Sequence, residues 1–140
     1  MRVFEFRLQR VLDYRRMVEG WAKDAYLDAR VRRLEAEAEL LTIDARRREV
    51  LEQRPNTVDQ LLGLERYLVR LQDEERAQQM LISILVQEEE AAQAAWIEKR
   101  KESESIERLR EQHYAEWQYE AELEEQKALD EWAVTRRKAA

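Results

Sequence analysis

Gln53-Arg54-Pro55-Asn56-Thr57 is the stretch that decides the fold of this 140-residue chain. Pro55, its only proline, cannot continue a helix that precedes it, and it also disfavours helical geometry in the residue before it. Directly afterwards, Thr57 and Gln60 have the spacing of a capping box, in which the threonine hydroxyl accepts a hydrogen bond from the Gln60 N–H. Asn56 is a second candidate for the N-cap. The stretch therefore predicts that one helix ends and another begins within a few residues.

The composition indicates long helices. Charged residues make up 40% of the chain and apolar residues 44%, with two glycines, a profile typical of coiled coils. We therefore expect an all-α fold: a long antiparallel two-helix coiled-coil hairpin forming a single domain over residues 1–140. Helix 1 is predicted at about 4–53, the corner at 53–57 and helix 2 at about 58–136. Gly63 is compatible with a kink or break between residues 60 and 66, because glycine is about 1 kcal/mol less favourable than alanine inside a helix; the alternative is an unbroken helix 2 of about 79 residues and roughly 120 Å.

Apolar residues at steps of three and four predict the face that each helix turns toward the other. On helix 1 one such set gives way to a second, as in a seam that drifts around a helix. The expected helix 1 seam is Phe4, Leu8, Val11, Val18, Ala22 and Ala25, followed by Leu27, Val31, Leu34, Ala38, Leu41 and Ala45. The expected helix 2 seam is Leu64, Leu68, Leu71, Leu81, Leu85, Ala92, Trp96, Ile106, Leu109 and Leu123.

The predicted helices are unequal in length. Pairing them outward from the corner places Phe4 beside residues 110–120 and leaves a C-terminal overhang at about 118–140. This end of helix 2 carries apolar side chains without a predicted partner in the chain: Trp117, Tyr119, Leu123, Leu129, Trp132 and Val134. The overhang is therefore a candidate docking surface for a protein. The alternatives are that it frays or that it packs in a homodimer.

Charge is unevenly distributed along the chain. The net charge of −6 argues against nucleic-acid binding, which requires a basic face. Residues 1–16 nevertheless hold five arginines (Arg2, Arg7, Arg10, Arg15 and Arg16) and two acids, and Arg136, Arg137 and Lys138 lie near the C-terminus. If the two termini lie together, one end of the hairpin is basic. The alternative for each charge run is an ordinary solvated helix face.

The sequence offers few residues for catalysis or metal binding. It has no cysteine and one histidine, His113, which fits the seam or its rim. Carboxylate pairs such as Glu98 and Glu102 lack the Glu-x-x-His motifs and the four-helix bundle of a dimetal site. We expect no catalytic residue, no metal, no cofactor and no enzyme. No apolar run approaches the ~20 residues of a membrane span, and no signal peptide is evident, so we expect a cytoplasmic protein without direct membrane insertion.

Two segments resemble one known family. Residues 4–15 (FEFRLQRVLDYR), with Glu19, Ala22 and Lys23, resemble the start of the flagellar export protein FliJ family. Residues 96–114 and 125–131 are similar to the second helix of that family. The resemblance extends over nearly the whole chain.

The resemblance implies a central-stalk component of the flagellar type III protein export apparatus, with roles in flagellum assembly, motility and chemotaxis. In this family the end that bears both termini binds the hexameric export ATPase (FliI) and promotes its ring assembly and activity. The other half binds the cytoplasmic domain of the export gate protein (FlhA), which couples ATPase and export, and export chaperones are further partners. The expected location is the cytoplasmic face of the inner membrane at the flagellar base, with peripheral association.

The resemblance also implies site residues. The ATPase-facing set is Arg7, Leu8, Arg10, Val11, Trp132, Arg136 and Arg137, and the gate-facing set is Leu41, Tyr67 and Leu71. Tyr67 and the leucines around it alternatively cover the corner. The alternative functions are the equivalent YscO-like stalk of a virulence type III secretion system and a homodimeric coiled-coil scaffold or chaperone.

Overall fold

A computed structural model describes residues 3–139 of the chain. It contains two helices, α1 at Gln9–Glu52 and α2 at Val58–Ala139, and no strand within the described range. The helices pack against each other as an antiparallel helical hairpin, so the predicted all-α fold class is confirmed. α1 begins five residues later than predicted, and α2 extends three residues further.

The corner between the helices is stabilised by the predicted capping residues. The Gln60 N–H donates to the Thr57 hydroxyl at 3.2 Å. In return, the Gln60 side-chain oxygen accepts a hydrogen bond from the Asn56 N–H at 2.9 Å. Both candidate N-cap residues therefore take part: one backbone donor of the first turn of α2 is satisfied, and so is the backbone donor of Asn56 just before the helix.

α2 runs without interruption through Gly63, so the unbroken alternative for helix 2 is the one observed. The helical penalty of glycine is only about 1 kcal/mol. On either side of Gly63, α2 is held by the corner cap and by Leu64 and Leu68, which pack against a core cluster of Ile43, Val50 and Leu71. This packing outweighs the local preference.

Contacts divide the chain into two units, and the first, which we call the corner unit, is Trp21–Ile97. Its buried positions on α1 recur every seven residues, at Ala29, Ala36, Ile43 and Val50. Half-buried residues alternate with them at the same period: Tyr26, Arg33, Leu40 and Arg47. This is the heptad pattern of a coiled coil.

The predicted seam of α1 within the corner unit is wrong from Ala25 onward, although Ala22 is half-buried as expected. Leu27, Val31, Leu34 and Leu41 are exposed, as are Ala38 and Ala45. The seam instead accepts charged residues, because α2 places a partner opposite each: Arg33 pairs with Glu89, and Arg47 pairs with Glu75 at 2.9 Å. On α2 the predicted seam residues Leu64, Leu68, Leu71, Leu85, Ala92 and Trp96 are buried or half-buried, whereas Leu81 is exposed.

The second unit, which we call the terminal unit, comprises Met1–Gly20 and Glu98–Ala140. Residues 3–6 are not helical, and the Gln9 N–H donates to the Phe6 carbonyl at 3.1 Å as α1 begins. The Phe4 ring lies edge-on to Tyr114 at 5.2 Å, which confirms the predicted placement of Phe4 beside residues 110–120. These ring contacts hold residues 3–6 in a conformation other than the predicted helix.

Seam positions in the terminal unit also differ from the prediction in part. Leu12 is fully buried, whereas its neighbour Val11 is exposed. Ile106 and Leu109 are half-buried as expected, but Leu123 is exposed. From residue 118 to residue 139 only Ala121 is partly buried. Arg2 and Ala140, which belong to the predicted basic end and overhang, lie outside the described residues.

Candidate docking surfaces

The last turns of α2 present an exposed surface in the terminal unit. Trp132 is 60% exposed, and the Arg136 guanidinium lies 5.0 Å from the centre of its ring. Arg136, Arg137 and Lys138 occupy the last turn, where the helix dipole favours positive charge. Tyr119, Leu129 and Val134 are also exposed. The surface thus combines large apolar side chains with cations, a combination common at protein interfaces.

The other predicted ATPase-facing residues lie at the start of the chain. Arg7 and Arg10 are exposed, and neither has an ion-pair partner among residues 3–139. Nearby arginines are engaged: Arg15 pairs with Glu102 at 2.8 Å, and Arg16 pairs with Glu107 at 2.6 Å. The side chains of Arg7 and Arg10 therefore remain available to a partner.

The structure does not bring the two halves of the predicted ATPase-facing set together. Phe4 contacts Trp117, and Trp132 lies 15 residues further along α2, which corresponds to about 22 Å of helix. Leu8 is half-buried, and Val11 is exposed. The terminal unit thus presents two separate cationic groups, one around Arg7 and Arg10 and one around Arg136.

An aromatic cluster in the terminal unit was missed by sequence reasoning. Phe6 is buried and contacts His113, with ring centres 5.5 Å apart, and Arg110 lies over Phe4 while donating to Gln9 at 3.0 Å. Trp117, expected to be free for a partner, is half-buried against Phe4 and stacks on Tyr114. The alternation of Phe4 and Phe6, typical of extended chain rather than helix, was the available signal.

The three predicted gate-facing residues occupy different environments in the corner unit. Leu41 is 70% exposed and Tyr67 is exposed, but Leu71 is only 1% exposed and belongs to the core. The Arg47–Glu75 pair sets the register and places Leu41 about level with Leu81 on α2, roughly 20 Å along the helix from Tyr67. The three residues therefore do not form one surface.

Charged and polar groups within the corner unit stabilise the packing of α1 against α2. Arg33 donates to both Glu89 and Glu37, and its side chain is mostly buried. These hydrogen bonds, that to Glu89 foremost, raise the pKa of Arg33 above its ordinary value, so it remains a cation. Gln78 donates to the Ala36 carbonyl at 2.9 Å. Such specific polar contacts fix the register of the two helices.

Aromatic contacts add to this seam. Trp96, predicted to be a seam residue, is half-buried and stacks on Tyr26, with ring centres 5.5 Å apart. Its indole N–H is buried and has no hydrogen-bond partner within the described part of the chain. The stacking on Tyr26 thus offsets the free-energy cost of burying the indole N–H without a hydrogen bond.

The described residues contain no cluster of three or more His, Cys, Asp or Glu side chains that could hold a metal ion. Grooves on the surface are shallow, such as the one at the corner lined by Gln53, Pro55 and Leu64. Within residues 3–139, no helix has the length and apolarity that crossing a membrane requires.

Fold and surfaces together define an all-α helical hairpin with a heptad seam, whose distinguishing features are exposed apolar and cationic faces. The family model described as flagellar FliJ protein matches residues 4–139, and the chain therefore belongs to the FliJ family. It is a protein of flagellar export. No curated protein matches the chain, and no solved structure matches it.

Proposed function

We propose that this protein is the central-stalk component of the flagellar export apparatus, which binds the hexameric export ATPase through its terminal unit. The observation that carries the proposal is the exposed end of α2, where Trp132 and Arg136 stack outside any described contact with α1. A large aromatic side chain in contact with an arginine is a frequent anchor in protein interfaces. Membership of a flagellar family favours this role over a virulence-type stalk.

Electrostatics supports a role in association with the ATPase for four arginines: Arg7, Arg10, Arg136 and Arg137. These side chains are exposed, and the chain as a whole is acidic. Cations at the rim of an interface mainly accelerate and orient association, and they make it sensitive to salt. Leu8 and Val11 then provide apolar contact beside the first pair. The ATPase ring should accordingly present acidic groups to the terminal unit.

The corner unit supplies the second contact of the proposal, with the cytoplasmic domain of the export gate protein. Leu41 and Tyr67 are accessible for it, whereas Leu71 supports the fold beneath. Because Leu41 and Tyr67 are roughly 20 Å apart along the helices, they would contact separate parts of the gate protein. Export chaperones are further partners of this proposal, and the protein acts at the cytoplasmic face of the inner membrane as a binding protein, not as an enzyme.

The ATPase contact is tested by measuring ATP hydrolysis of the cognate export ATPase with and without the protein. Trp132→Ala should abolish most of the stimulation. Trp21→Ala is a matched control, because Trp21 is also 60% exposed but lies in the corner unit. Truncation after Glu125 should act like Trp132→Ala, since it leaves the contacts of Phe4 and Phe6 in place. Full stimulation by both altered proteins would refute the contact on α2.

The gate contact requires a separate measurement. Binding of the isolated cytoplasmic domain of the gate protein should weaken with Leu41→Glu or Tyr67→Ala and remain unchanged with Met80→Glu. Met80 is as exposed as Leu41 and lies in the same unit, so it controls for the introduction of a charge. If all three variants bind equally well, the gate protein contacts another surface.

A further inference from the structure

α1 carries a second heptad pattern that its own hairpin leaves uncovered. Six apolar residues follow each other at alternating steps of four and three, and all are exposed; we call them the outer stripe: Leu27, Val31, Leu34, Ala38, Leu41 and Ala45. Each lies two residues before or after Ala29, Ala36 or Ile43 of the buried seam. Two residues correspond to a rotation of about 200°, so the outer stripe occupies the face of α1 opposite α2.

The two faces of α1 differ in the polar residues that they carry. The face against α2 contains Arg33 and Arg47, whereas the outer stripe contains no polar residue. A sustained apolar heptad on one helix is the pattern by which helices associate as coiled coils. Exposed apolar stripes of this kind mark interaction surfaces. The outer stripe is therefore suited to a second helix.

The identities of the residues indicate how that helix packs. With the three leucines at d positions, Val31 occupies an a position, followed by Ala38 and Ala45. Among parallel coiled coils, a β-branched residue at a together with leucine at d favours two strands. Three successive leucines at d, seven residues apart, allow each to pack against its equivalent in an identical helix.

Flanking charges are complementary between two copies over the first half of the outer stripe. In a parallel pair, each residue preceding an a position faces the residue five further along in the other copy. Lys23 then faces Asp28, and Arg30 faces Glu35. Further along, Glu37 faces the uncharged Thr42 and Asp44 faces Glu49, so the attraction between copies is confined to the first half of the stripe. Arg30 and Glu35 are exposed, and neither has an ion-pair partner among residues 3–139. An antiparallel pair would instead bring Glu35 of each copy together, which is repulsive.

We propose that the outer stripe binds a second copy of this chain, with the two α1 helices parallel and in register around a two-fold axis. This inference does not depend on the proposed function, since it concerns a surface outside the terminal unit. Leu41 would be covered in the dimer. Self-association and the proposed contact of Leu41 with the gate protein therefore exclude each other.

Sedimentation of the full chain over a concentration series tests the interface. The mass should rise toward twice that of the monomer, and Leu34→Glu should abolish the rise. Met80→Glu is the matched control, because it places the same charge at an exposed apolar position on α2. A monomer at every concentration would overturn the proposal. So would a dimer that survives Leu34→Glu but is lost on Trp132→Ala, since that would place the interface at the end of α2.

Charge reversal tests the register. Arg30→Glu alone and Glu35→Arg alone should each weaken the dimer, because each opposes like charges at two symmetric places. The double change Arg30→Glu with Glu35→Arg should restore it. Failure of the double change to restore association would overturn the parallel register, and circular dichroism of each variant confirms that the helices remain intact.

Disulfide formation tests the orientation independently. The chain has no cysteine, so a single introduced cysteine can pair only with its equivalent in a second copy. Leu27→Cys should form a disulfide-linked dimer on mild oxidation, because equivalent d positions are close in a parallel pair. Met80→Cys should not. If Leu34→Cys cross-links but Leu27→Cys does not, the copies are antiparallel and the proposal is wrong.

Discussion

Exchanging two leucines for alanine provides a direct test of which face of α1 is buried. Leu71 of α2 is 1% exposed and packs with Ile43 and Val50. Leu41, which the apolar pattern places in the seam, is 70% exposed. Leu71→Ala and Leu41→Ala are the same chemical change, so any difference in their effect reports the difference in burial.

The expected magnitude follows from that burial. Leucine to alanine removes about three buried carbon groups, and at ~0.8 kcal/mol for each CH2 the transfer contribution is about 2.4 kcal/mol. The space left in the cluster adds to this, and measured values for such substitutions lie at about 2–5 kcal/mol. We therefore expect Leu71→Ala to lower the free energy of unfolding by about 3 kcal/mol. Leu41→Ala should change it by less than about 0.5 kcal/mol.

Urea denaturation followed by circular dichroism measures both changes. With a urea dependence of roughly 2 kcal/mol per M, Leu71→Ala should lower the midpoint by about 1.5 M. The melts are performed at low protein concentration and repeated after dilution, so that a midpoint independent of concentration excludes a contribution from association. Equal losses for the two variants, or a larger loss for Leu41→Ala, would refute the assignment of the seam.

Three further changes test the corner, the helix and the polar seam. Thr57→Ala should lower the free energy of unfolding by about 1 kcal/mol, whereas Thr57→Ser, which keeps the capping hydroxyl, should have little effect in the same urea assay. Gly63→Ala should raise it by about 0.5–1 kcal/mol, because α2 is continuous there and, apart from the adjacent residues and the backbone of the same helical turns, no atom lies within 4 Å of the added methyl group; a loss of stability would indicate a break. Arg33→Ala should lower the melting temperature more than Arg48→Ala, because the first leaves Glu89 mostly buried without its cation while the Arg48–Asp44 pair is at the surface; equal shifts would contradict a structural role for Arg33.

Part of the docking surface could be predicted from the sequence. The exposure of Trp132 and Arg136 follows from unequal helix lengths, because α2 continues beyond the level at which α1 begins. The role of Leu71 could not be decided in the same way, because it belongs both to the predicted seam of α2 and to the predicted gate-facing set. Leucine spacing near the corner fits both a core and a binding patch, and only the contacts with Ile43 and Val50 separate them.

The sequence alone determined the elements of the hairpin. A single proline followed by a capping box ends one helix and begins the next, and the absence of other strong helix breakers extends both. These are local effects, governed by the backbone preferences of a few neighbouring residues. Most of the seam of α2 could be predicted from helical spacing as well, since Leu64, Leu68, Leu71, Leu85, Ala92 and Trp96 are buried or half-buried, but Leu81 and Leu123, predicted with them, are exposed.

Only the tertiary structure decided which face of α1 is buried and where α1 starts. α1 has two heptad faces, and the more apolar one is not the one that meets α2. The choice depends on partners distant in sequence: Glu75 and Glu89 compensate Arg47 and Arg33, and α2 aromatic rings hold the N-terminal segment outside the helix. The apolar pattern of one helix shows which of its residues share a face. Which of two such faces is buried depends on the complementary residues of the helix packed against it.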